Sequence, residues 1–89
     1  MDPADATRLR TNRVYIVSDL DVHRVLDLLI QNGIIVAEDR ELICSKPTSQ
    51  DRARSLLDIL SCRGPNAFRI FVQALREAGY DWLADKLMN

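Results

Sequence analysis

The chain has 89 residues, enough for one domain and not two. Its make-up is 47% hydrophobic and 28% charged, as in an ordinary soluble globular protein, and no apolar run approaches the roughly 20 residues that span a bilayer. A net charge of −1 argues against a chain built to coat nucleic acid.

Strand signal is almost absent, and six helices are predicted. The first runs from about Asp5 to Leu20, with Leu9, Ile16, Val17 and Leu20 inward. Val14 and Tyr15 lie off that face, so a bend is expected near Thr11–Arg13. Asp21 reads as the next N-cap. The second helix, about Asp21 to Gln31, buries Val22, Val25, Leu26 and Leu29 at helical spacing, and Asn32-Gly33 stops it. Ile34-Ile35-Val36 resembles a strand but has no partner strand, so it reads as a connector that buries its side chains.

A third helix is expected from about Ala37 to Ser45, with Leu42 and Ile43 inward and Glu38-Asp39 favourable in its first turn. Lys46-Pro47 ends it, because the residue before a proline resists the helical conformation. Thr48 or Ser49 caps the fourth helix, where Ala53, Leu56, Leu57 and Leu60 share one face. Gly64 suits a left-handed turn after that helix, and Pro65 suits the first turn of the fifth. Phe68, Phe71, Val72 and Leu75 then repeat the apolar spacing up to Gly79. The hairpin from Ala53 to Leu75 is therefore the expected centre of the core. The sixth helix, about Tyr80 to Leu87, aligns Tyr80, Leu83, Ala84 and Leu87. There are no repeats, linkers or low-complexity segments.

Candidate chemistry is sparse. The one histidine, His23, has no second histidine at ligand spacing and reads as a surface or boundary residue. Cys44 and Cys62 are too few for a zinc motif and read as buried or half-buried thiols. Cys62-Arg63-Gly64 matches part of a cysteine-protease nucleophile motif, but Leu60-Ser61 precede it and the cysteine closes a helix. No metal, cofactor or catalytic site is predicted. The N-terminal MDPADATRLR lacks the apolar core of a signal peptide, so a cytosolic or nuclear protein is expected.

Charge is segregated by element. Residues 19–41 carry six acids against two bases, and residues 42–76 carry six bases against two acids. The first helix adds Arg8, Arg10 and Arg13. Mixed charge alone would solubilise a small domain, but separation of sign by helix suits head-to-tail docking to copies or relatives of the same domain.

The ordered pattern resembles a caspase recruitment domain (CARD), of the death-fold superfamily. It is most similar to the prodomains of initiator caspases and to their adaptors. The resemblance rests on Leu56-Leu57-Asp58-Ile59-Leu60, Arg63-Gly64-Pro65, Ala67-Phe68, Phe71, Ala74-Leu75, Glu77, Gly79-Tyr80, Leu83-Ala84 and Leu87. Upstream, Asn12-Arg13, Leu26 to Ile30, Ile34-Ile35 and Arg40-Glu41-Leu42-Ile43 fit as well.

That resemblance implies a six-helix antiparallel bundle of Greek-key topology, with a kinked first helix. It further implies homotypic docking, a basic surface on the first and fourth helices of one domain meeting an acidic surface on the second and third of the next. By position, the basic candidates are Arg10, Arg13, Arg52 and Arg54. The acidic candidates are Asp27, Glu38, Asp39 and Glu41. Gln50 stands where a relative can carry a further base.

The implied function is a non-catalytic module in a caspase-activating assembly, with another CARD protein as partner and self-association open. Adaptor, zymogen prodomain and CARD-only decoy all remain open. The rival from another class is a small helical nucleic-acid binder using Arg52, Arg54 and Arg63, which the acid on neighbouring helices opposes. Neither nucleic acid nor membrane is an expected partner.

Overall fold

The computed structural model describes residues 1–89 and contains seven helices. They are α1 (Pro3–Thr11), α2 (Arg13–Asp19), α3 (His23–Gln31), α4 (Ala37–Cys44), α5 (Ser49–Ser61), α6 (Ala67–Glu77) and α7 (Asp81–Met88). The first expected helix is present as two pieces, α1 and α2, parted at Asn12. Local chemistry explains the break. The hydroxyls of Thr7 and Thr11 and the amide of Asn12 each donate to the carbonyl four residues back. Such bonds compete with the helical ladder and bend it.

Several other ends follow the sequence. Helix α1 starts at Pro3, before the expected Asp5, because Asp2 accepts from the Ala4 N–H at 2.8 Å and caps it. Asp21 accepts from the His23 N–H at 3.1 Å, although α3 itself begins two residues later than expected. Thr48 caps α5 by accepting from the Asp51 N–H at 3.0 Å. Two glycines adopt the left-handed conformation, Gly33 at φ 77° and Gly79 at φ 91°. After each, the next N–H returns into the helix: Ile34 to the Leu29 carbonyl at 3.0 Å, and Tyr80 to the Leu75 carbonyl at 2.7 Å.

Gly64 corrects the expectation, since its φ is not positive. Helix α5 instead tightens at its end, with Cys62 and Arg63 donating to carbonyls three residues back. Pro65 lies outside α6, in a turn closed by the Ala67 N–H on the Gly64 carbonyl at 3.1 Å.

The core is apolar throughout, and every residue of the central hairpin expected to face inward does so. Helix α5 packs on α2, α4 and α6, while α6 packs on α3 and α7. Helix α1 rests on α2 and α7, so the first and last helices meet. Tyr80, in the turn before α7, ties that turn to the one before α3, its hydroxyl accepting from the Asp21 N–H at 3.1 Å. Arg24 lies 5.0 Å from the centre of its ring. At the other end of α7, Lys86 Nζ sits 4.1 Å from the ring centre of Tyr15 on α2.

Four side chains depart from the sequence reading. Leu42 is 51% exposed and Val36 45% exposed, whereas their neighbours Ile43 and Ile35 are buried. Adjacent helical positions differ by about 100°, so Leu42 and Ile43 cannot share the inner face. Cys44 and Cys62 are both exposed free thiols, because each follows the last buried turn of its helix. His23 is exposed, as expected. No helix is long and apolar enough to cross a membrane.

Candidate protein-docking faces

The basic candidates gather where α1 and α2 lie against α5. Arg10 and Arg13 line a groove with Ala6, Leu9, Leu57 and Ser61. Arg13 and Arg54 line a second depression with Val14, Val17, Ser18 and Gln50. Residues more than thirty-five positions apart thus share one concave surface, because the inward stripes of α2 and α5 pack together. Lys46 joins the edge of this surface, in a depression with Asp51, Arg54, Ser55 and Asp58. It stood in the charge count but not among the candidates, and a lysine in a connecting turn gives no periodic signal.

Acids within the face temper it. Arg13 Nη1 lies 3.3 Å from Asp58, and Arg54 Nη1 lies 2.7 Å from Asp51. Arg10 has no ion-pair partner in the chain and is exposed. Arg52 behaves differently from the other three. It is half-buried, and its guanidinium donates to the Lys46 carbonyl at 2.9 Å. Its role is to tie the α4–α5 turn to α5, so it contributes positive potential but not a free fork of donors.

The acidic candidates sit on α3 and α4. Asp27 is exposed and pairs with Arg40 at 3.1 Å, which links the two helices. Glu38 and Glu41 are exposed and engage no cation in the chain. Asp39 is the outlier, since only 14% of its side chain is accessible. Arg63 Nη2 lies 2.8 Å from each of its oxygens, and one oxygen accepts from the Val36 N–H at 3.1 Å. Asp39 is therefore an anchor between the start of α4 and the α5–α6 turn, not a freely presented charge.

Two faces of opposite sign thus occupy different helices, with Arg10, Arg54, Asp27, Glu38 and Glu41 exposed, Arg13 and Arg52 half-buried and Asp39 nearly covered. The caspase recruitment domain profile matches residues 6–89. This chain belongs to the CARD family. It adopts the Greek-key death fold, and the two-piece first helix accounts for seven helices where six were expected.

Relatives agree with the assignment. Caspase-2 of Gallus gallus is 34% identical over 81 residues, which cover 91% of this CARD and 19% of that protein. Human Caspase-9 is 33% identical over 90 residues, covering 98% of the CARD and 21% of the relative. Receptor-interacting serine/threonine-protein kinase 2 of Bos taurus is 35% identical over 72 residues, covering 78% and 13%. The CARD thus spans only about a fifth or less of the length of these relatives. It is an interaction module, and no protease domain lies within its 89 residues.

Proposed function

We propose that this CARD recruits, or is recruited into, a caspase-activating assembly by docking face to face with another CARD. The observation that carries the reading is the separation of charge: Arg10, Arg13 and Arg54 on one surface, Asp27, Glu38 and Glu41 on another. Complementary surfaces steer encounter and reject partners of the wrong sign. Kinship with two caspases and with human Apoptotic protease-activating factor 1 supports the cell-death setting. A protease attached to such a module meets other zymogens at raised effective concentration, which is sufficient to favour their mutual cleavage. The site of action in this reading is the cytoplasm, with neither nucleic acid nor membrane as partner.

Titration calorimetry of the purified 89-residue chain against the isolated CARDs of those three relatives tests this. A one-to-one complex with at least one of them, weakened by added salt, is the expected result. Absence of binding to all three at low salt refutes the reading for this set of partners.

A further inference from the structure

Helix α6 belongs to neither docking face, yet it borders a groove of its own. Helices α1 and α6 both pack on α7, and a groove of about 370 Å³ remains between them. Phe68 and Val72, both buried, form its floor, and Met88, 47% exposed, adds apolar surface from the end of α7. Arg8 rises from α1 on one wall, and Arg69 and Arg76 rise from α6 on the other. Arg69, Val72 and Arg76 fall at i, i+3 and i+7, so two guanidiniums flank an apolar contact along one side of the helix. None of these residues is a member of either charged face.

The three cations differ in how far they are satisfied within the chain. Arg69 is exposed and forms no ion pair. Arg8 lies 3.9 Å from Asp5, the one acid in the lining, which is the outer limit of an ion pair. Arg76 is held more firmly, with Nη2 2.8 Å from Asp85 and Nη1 3.8 Å from Asp81. Positive walls over an apolar floor suit an occupant that is acidic at its edges and apolar at its centre.

Spacing narrows the occupant further. At about 1.5 Å of rise per residue, Arg69 and Arg76 lie about 10 Å apart along α6. Arg76 is pinned by Asp85 on α7, so it does not swing along the axis to share one small anion with Arg69. An extended polypeptide rises about 3.3 Å per residue, so acids three positions apart match that separation. A side chain between them then falls over Val72 and Phe68.

We propose that this groove binds an extended acidic segment of a partner polypeptide, with two carboxylates three positions apart and a large apolar side chain between them. Arg69 takes the first carboxylate, the free edge of Arg76 takes the second, and Arg8 closes over the chain from the opposite wall. The apolar side chain leaves water for the Phe68–Val72 floor, and that burial supplies the affinity that exposed ion pairs alone do not. The groove shares no residue with the docking faces, so the proposal stands independently of the CARD–CARD reading.

The test is fluorescence anisotropy of labelled, end-capped hexapeptides with the 89-residue chain. The first peptide has two glutamates three positions apart and a leucine between them. A second replaces the leucine by glycine, and a third replaces both glutamates by glutamine. The first should bind, and the other two should each bind about tenfold more weakly. Arg69→Glu should weaken binding of the first about tenfold; an acid suits the first turn of α6, so circular dichroism should stay native. Arg8→Gln should weaken it about threefold, and Arg13→Glu should change it less than about twofold. In amide correlation spectra, the resonances of Phe68, Arg69 and Val72 should shift on titration.

Loss of binding with Arg13→Glu and not with Arg69→Glu would put the peptide on the basic docking face and overturn the proposal. Equal binding of the leucine and glycine peptides would show attraction of charge alone, and would overturn it as well. So would the absence of binding by the first peptide at about 1 mM, the weak end of specific affinity. Phosphatidylserine vesicles that bind through Arg69 when that peptide does not would assign the groove to a membrane instead. A failed CARD–CARD titration leaves the peptide result unaffected, so the two readings fall separately.

Discussion

Asp39 and Arg63 are joined across twenty-four residues, with Nη2 of the arginine 2.8 Å from both carboxylate oxygens. The pair fixes the first turn of α4, which carries Glu38, against the turn that follows α5. An acid placed by position on the candidate acidic face instead anchors the start of α4.

Asp39→Ala should therefore act on stability first. It strands a half-buried guanidinium and the Val36 N–H, at a cost of about 1–3 kcal/mol. Glu38→Ala, one residue away and exposed, should stay within about 0.5 kcal/mol. Urea unfolding compares the two. Equal effects would remove the distinction drawn between them.

Charge reversal should separate docking from folding. Arg13→Glu or Arg54→Glu should abolish binding to a partner's acidic face, while the far-ultraviolet dichroism stays native. Like charges at a contact can cost several kcal/mol, against about 8 kcal/mol in a micromolar complex. Each reversal also sets a second acid beside Asp58 or Asp51, an exposed repulsion of about 0.5 kcal/mol that leaves the fold intact. Asp27→Arg should disable the opposite face only. A charge-swapped pair, Arg54→Glu with the facing acid made basic, should recover part of the affinity. Unchanged association at low salt in all three single reversals would dismiss electrostatic docking.

The centre of the core sets the third expectation. Phe71 is fully buried, and Phe71→Ala should cost about 3–5 kcal/mol in denaturant unfolding. That is much of the stability of a small domain. A loss under about 1 kcal/mol would contradict its place in the packing.

Glycines distinguish real left-handed turns from apparent ones. Gly33→Ala meets no steric neighbour but retains φ 77°, so it should destabilise by about 1 kcal/mol. Gly64→Ala meets neither obstacle and should be neutral or stabilise by about 0.4–1 kcal/mol. The opposite order of melting temperatures would refute the assignment of these two turns.

Legibility in the sequence tracked periodicity. Stripes at i, i+3, i+4 and i+7 identified the inner faces of α3, α5, α6 and α7, and the misfit of Val14 and Tyr15 revealed the broken first helix. Where two like residues are adjacent, the pattern cannot choose between them. Leu42 and Ile43 are both aliphatic and Glu38 and Asp39 are both acidic, yet in each pair only one turns inward. That choice depends on what another helix presents: the α5 surface for Ile43, Arg63 for Asp39. The charged faces were readable as a segregation of sign by element. Of their internal neutralisation only the Arg54–Asp51 pair, three apart on one helix, was readable; Arg13 and Asp58 are forty-five residues apart and meet only once α2 packs on α5.

The bond from the Asp21 N–H to the Tyr80 hydroxyl spans fifty-nine residues and has a consequence for synthesis. A ribosome releases this chain from its N-terminal end, so the turn before α3 emerges long before the hydroxyl that completes it. Helix α1 likewise waits for α7, which shields its inner side. During that interval Leu9, Leu20 and Val22 lack part of their cover, and the nascent domain exposes apolar surface until the final two turns are translated. The domain therefore completes its fold only after α7 has left the exit tunnel, and a nascent chain stalled before that point is a natural client for chaperones.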